Sequence, residues 1–211
     1  MRSETIDTIL KKSLSPQRLE KYLAASAGDL RTALDLYERN TRLSEAFYTP
    51  LQSMEICLRN KLHDELVARY GPDWFRAGMA PLYPDAVEAI RKIVAGLDQA
   101  RRPSGPGPIV AELSFGFWVG LLGPRYDATV WRQALYRAFE EDGRRLKRDR
   151  VHGRFNALRR LRNRIAHHEP IFHYDLPNAH AEIIAAISWM CPSTAAWTTR
   201  HSRFPGVFAA T

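Results

Sequence analysis

The sequence predicts an all-α protein, a helical bundle with an N-terminal helical extension. Three observations carry this. Apolar residues recur every three or four positions through most of the chain, as one face of a helix requires. Apolar–polar alternation never runs long enough for a useful strand. Helix punctuation is dense, with Ser15-Pro16, Gly28-Asp29, Pro84-Asp85 and Cys191-Pro192 at element ends.

Taken in order, Ser15 and Pro16 read as the N-cap and first position of a helix through Leu19, Tyr22 and Leu23, which Gly28 ends. Asp29 caps the next, with Leu30, Ala33, Leu34 and Tyr37 as its stripe, running on towards Tyr48. Residues 1–48 thus form the extension, and Leu14 to Tyr48 a helical hairpin leaning on the bundle. Pro50 starts or kinks a helix carried by Leu51, Met54, Ile56, Leu58, Leu62, Leu66 and Val67. Pro84 opens another. Arg101 to Pro108 is a loop, either a plain surface connection or a flap over a site. Glu112 to Trp118 lies inside a helix that ends near Gly123, and Asp127 caps a helix from Ala128 to about Phe139. Glu141-Asp142-Gly143 is a break. A helix from near Asp149 reaches Pro170, and Asp175 caps the last one, to about Met190. The bundle therefore covers residues 49–191, and residues 192–211 read as a tail, loosely ordered from Trp197.

At 211 residues with 45% hydrophobic and 26% charged residues, the chain can bury a core and has the composition of a soluble globular protein. No stretch is apolar enough to span a membrane, and the N-terminus lacks a long apolar run. The net charge of +8 favours polyanionic partners such as RNA. Most of that excess lies between Arg144 and Arg164. Cys57 and Cys191 read as free buried thiols inside helices, consistent with a reducing cytoplasm. Gly-rich phosphate loops, nucleophile elbows and zinc frameworks are missing from the sequence.

Leu158 to Pro170, L-R-R-L-R-N-R-I-A-H-H-E-P, concentrates the chemistry. On a helical wheel Val151, Phe155, Leu158, Leu161 and Ile165 share an apolar side, and Arg162 falls among them. A guanidinium there needs a carboxylate, with Glu55 and Glu169 as candidates, or a wet cleft. Two readings stand. In one, a histidine moves the proton of a ribose 2′-hydroxyl, an arginine holds the phosphate and an asparagine orients either. In the other, the histidines merely suit the negative end of a helix dipole. His167, His168, Glu169, His173, Asp175 and His180 are metal-ligand types, but their spacing fits no tight motif, so no metal is expected.

R-N-R-I-A-H, Arg162 to His167, resembles the Arg-(four to six residues)-His motif of the HEPN superfamily. The extended form L-R-N-R-I-A-H-H-E-P-I resembles its Abi-like (abortive infection) branch. So do Leu36 to Asn40, Leu43 to Asn60 and Glu112 to Trp118, and the likeness spans roughly Leu14 to Trp189. The resemblance implies a HEPN-like bundle and a cofactor-free, metal-independent endoribonuclease. It would act in phage defence or as the toxin of a toxin–antitoxin pair. Arg162, Asn163, His167 and His168 would be catalytic. Glu55, Arg59, Asn60, Arg164 and Glu169 would support the site or bind substrate. Expected partners are RNA, a second copy forming a composite site, and an antitoxin or inhibitor.

One geometric point follows from the spacing. In an ideal helix Arg162 and His167 point about 140° apart. Either the helix is distorted near His167 or the two residues meet from different subunits. Competing expectations are a basic helical RNA-binding module without catalysis and a protein-interaction module with a structural Arg/His cluster.

Overall fold

The computed structural model describes residues 4–210, so the two extreme ends of the expected extension and tail lie outside the described residues. The fold is all-α. Helices α1 (Glu4–Leu14), α2 (Pro16–Ala25) and α3 (Leu30–Ala46) come first. The Ser15 hydroxyl accepts from the Arg18 amide, and Pro16 fills the first helical position, whose N–H has no intrahelical acceptor to lose. Asp29 caps α3 by accepting from the Thr32 amide at 2.7 Å. Phe47 alone separates α3 from α4 (Tyr48–Tyr70). Pro50 falls in the first turn of α4, where it costs nothing, and the helix continues through it.

Helix α4 is the spine of the bundle. Leu51, Met54, Leu58, Leu62 and Leu66, three or four apart, are all buried. They face α9 (Leu176–Ser188), α10 (Pro192–His201) and α7 (Phe115–Leu121). Between them run α5 (Pro84–Gln99) and α6 (Pro106–Glu112), and the connection before α6 is shorter than expected. The helix expected across Glu112 to Trp118 is broken. Leu113 is extended and the Ser114 hydroxyl accepts from the Phe117 amide, so Ser114 starts α7 afresh.

The regular helix expected from Ala128 to Phe139 is also corrected. Asp127–Trp131 is a wide π turn and Leu135–Ala138 a tight 3₁₀ turn. Asp127 does not cap, because Arg132 and Arg148 hold its carboxylate at 2.7 and 3.3 Å. The expected break at Glu141 is a small hairpin, β1 (Glu140–Glu141) against β2 (Arg144–Arg145). Asp142 and Gly143 both have positive φ, as a two-residue primed turn demands.

Helix α8 (Arg148–Ala166) carries the motif and buries Val151, Phe155, Leu158 and Leu161. The expected tail is helical: α10 is followed by α11 (Phe204–Ala209). Phe204 is buried, 4.6 Å from the Phe47 ring and 4.9 Å from His180. Docking on the bundle orders this segment, which its own periodicity could not reveal. Cys191, expected inside a helix, is instead the N-cap of α10.

The N-terminal helices hold a small apolar cluster of their own, Leu19, Tyr22, Ala33 and Leu34, and Phe172 from the segment after α8 packs against it. The extension is thereby tied to the end of the motif helix. No helix among the described residues is long and apolar enough to cross a membrane.

Candidate active-site cleft

The C-terminal end of α8 determines the site. Its last turn closes in a Schellman motif. The Glu169 amide donates to Arg164 O at 2.8 Å and the His168 amide to Ile165 O at 3.0 Å. His168 holds the left-handed position of that motif, with φ 56°. Glycine usually stands there, because a Cβ is strained in that region. Two carbonyls left over by the helix end are taken from outside: Arg18 Nη1 of α2 donates to His167 O at 3.2 Å and His168 O at 2.7 Å. Arg164 folds the following chain back, donating to Pro170 O at 2.9 Å and pairing with Glu169 at 3.1 Å. One turn later the buried Asn40 side chain accepts from the Ile171 amide at 2.7 Å. The helix therefore ends at His167, and His168 turns into the left-handed position beyond it.

Beside this end lies an open cleft of about 1000 Å³ between α3, α4, α6, α7 and α8. Arg162, Asn163 and His168 line it from α8 and its cap, and Glu55 and Arg59 from α4. Ser114 and Trp118 line it from the α6–α7 segment. Trp118 is buried, and its Nε1 has no acceptor among the described residues. Arg162 is paired with Glu55, its Nε to Oε1 at 2.6 Å and Nη2 to Oε2 at 3.3 Å. The pair is part-buried, and the bidentate grip fixes the guanidinium plane while leaving Nη1 without an acceptor among the described residues. Of the two carboxylates the sequence offered, Glu55 is the partner.

The nine expected site residues divide. Arg162, Asn163, His168, Glu55 and Arg59 meet in the cleft. His167 and His168 are both exposed, and of the two only His168 is part of the cleft lining. Asn60 orients Arg59, accepting from its Nε at 3.2 Å, and faces a second, smaller pocket. Arg164 and Glu169 shape the turn. His63 accepts from Trp74 Nε1 at 3.0 Å through Nδ1, and burial holds its pKa below the usual imidazole value. His180 is likewise lowered by burial. Among the described residues no group of three or more His, Cys, Asp and Glu side chains converges as metal ligands would.

No family model, no curated protein and no solved structure matches this chain. The site therefore has to be read from its own residues.

Sequence reasoning missed Arg18 and the outer face of α4. Tyr48 is 68% exposed and Ile56 40% exposed, at the lip of the cleft. Tyr48, Gln52 and Ile56 are spaced by four, a signal that was available.

Proposed function

We propose that this chain is a metal-independent endoribonuclease of HEPN type, acting in phage defence or as the toxin of a toxin–antitoxin pair. The observation that carries the reading is His168, held in a glycine-like conformation at the cleft beside Arg162 and Asn163. A left-handed backbone at a cleft-lining histidine costs free energy, and such conformations cluster at functional sites. Three of the stretches that resemble the Abi-like branch contribute to this cleft, and the fourth supplies Asn40, which holds the chain just beyond it.

In this reading Arg162 neutralises the scissile phosphate through its Nη1 donors while Glu55 keeps it oriented. His168 takes the 2′-hydroxyl proton as that oxygen attacks phosphorus, or gives one to the departing 5′-oxygen. Asn163 orients the phosphate or the imidazole. Five residues separate Arg162 from His168, within the four-to-six pattern, so in this reading His168 replaces His167 as the proton carrier in the cleft. The products are a 2′,3′-cyclic phosphate and a 5′-hydroxyl. One copy supplies one such set. A second copy covering Tyr48 and Ile56 would bury this apolar lip and bring two sets together as an isologous homodimer. An antitoxin or inhibitor that covers the same lip would silence it. In this reading the protein acts on RNA in the cytoplasm.

The Glu55–Arg162 pair favours one alternative, a non-catalytic basic RNA-binding or protein-interaction module in which the arginine is only structural. Incubating the purified chain with RNA in the presence of a chelator separates the two. Fragments ending in a cyclic phosphate support the enzyme. Salt-sensitive binding without fragments supports the module.

A further inference from the structure

The chain has two cysteines, 134 positions apart in sequence, and both line the same pocket of about 510 Å³. Cys57 comes from α4 and Cys191 from the N-terminus of α10, with Met190, Ile56 and Trp197 as apolar walls. Gln52, Ser53, Asn60, Lys61, Asp64 and Thr194 form the polar part of the lining. The two sulfurs have different surroundings. Cys191 is the N-cap of a ten-residue helix, and Thr194 Oγ1 donates to its Sγ at 3.1 Å. A helix N-terminus, a hydroxyl donor and the nearby Lys61 ammonium all favour a thiolate. These contacts, the Thr194 hydrogen bonds first, lower the Cys191 pKa. Cys57 is the opposite case. Burial first, and then the nearby charge of Cys191, push its thiol up to about 11.

We propose that Cys191 is a peroxide-reactive thiol and Cys57 its resolving partner, so that the pocket is a reversible thiol–disulfide site. The Cys191 thiolate attacks one oxygen of a hydroperoxide. The O–O bond breaks, a sulfenic acid forms, and the leaving hydroxide or alkoxide takes up a proton. Cys57 sulfur then attacks the sulfenic sulfur, the S–O bond breaks, and hydroxide leaves with the Cys57 proton as water. Both thiols are oxidised, the peroxide is reduced, and a disulfide joins α10 to α4. The pocket shares Gln52 and Ile56 with the main cleft, so the bond would staple the cleft's α4 wall. The inference is independent of the nuclease reading.

The test is intact-mass and peptide mass spectrometry on the full chain treated with hydrogen peroxide, with alkylation rates measured before oxidation. Cys191 should alkylate at least ~10-fold faster than Cys57. The oxidised wild type should lose two hydrogens, yield a Cys57–Cys191 cross-linked peptide, and revert with dithiothreitol. Cys57→Ser should stop at a dimedone-trappable sulfenic acid on Cys191, and Cys191→Ser should not react. Faster alkylation of Cys57, a wild type whose Cys191 gains oxygen while Cys57 stays a thiol, or two inert thiols would each overturn the proposal. The wild-type peptides decide this even if a variant folds poorly.

Discussion

Arg18 donates from Nη1 to the carbonyl of His168 at 2.7 Å, joining the second helix to the end of the eighth. That bond holds His168 in a conformation its side chain disfavours. Replacing His168 with glycine should therefore stabilise the fold by about 0.5–1 kcal/mol, since the strain disappears and only the flexibility of the unfolded chain rises. Urea denaturation measures this. The same variant should lose RNA cleavage. A glycine that destabilises the protein would show that the imidazole is there for packing.

Glu55→Gln separates orientation from charge at the cleft. Removing the carboxylate leaves Arg162 uncompensated, so RNA should bind several-fold tighter, with a steeper salt dependence. The guanidinium also loses its bidentate carboxylate grip, so turnover should fall by about 10-fold. Arg162→Lys should also turn over poorly, because an ammonium cannot be gripped in a plane. Single-turnover kinetics with fluorescent RNA reads both terms. Parallel loss of binding in the two variants would assign the pair to structure alone.

Asn40→Ala leaves the buried Ile171 amide without an acceptor. An unmet buried donor costs about 1–3 kcal/mol, so the urea midpoint should drop accordingly. Because Ile171 follows the motif turn directly, activity should fall more than stability alone explains. Activity measured well below the melting temperature tests that.

Stability should decline in mild acid. His63 and His180 have folded pKa values lowered by burial, as do His152 and His173. In the unfolded chain each returns towards about 6.5. Above that pH both states hold neutral rings and nothing is lost. As pH falls below it the unfolded chain binds the extra protons first, so folding weakens towards and through the lowered values. Urea midpoints at about pH 7.5 and about pH 5.5 should differ in that direction. His180→Phe, which keeps a ring against Phe204, should shrink the difference. An unchanged gap would remove His180 from the account.

Much of the helical order was legible because it rests on local chemistry. Ser15, Asp29 and Asp175 cap where the sequence placed them, each accepting an amide three residues on. The buried stripe of α8 was legible for the same reason. What failed depended on distant partners. Asp127 reads as a cap until Arg148, twenty-one positions on, is seen to hold it. The helices after Cys191 bury residues such as Ala195 and Phe204 against other elements, so no stripe announces them. At the site, the need of Arg162 for a carboxylate was legible, but choosing Glu55 required the fold. That His168 and not His167 lines the cleft was not legible, because it follows from a left-handed residue that glycine would normally mark. Arg18 carries no signal in sequence at all, lying 150 positions from the carbonyl it holds.

The central claim is that the imidazole in the cleft, and not its neighbour, carries the proton. The direct measurement is cleavage of a structured RNA by wild type, His168→Ala and His167→Ala, with chelator present and folding checked by circular dichroism. The account predicts that His168→Ala is slower by about 10²–10⁴-fold while His167→Ala stays near wild type. An active His168→Ala beside a dead His167→Ala would contradict it, as would a wild-type protein that binds the RNA and leaves it whole.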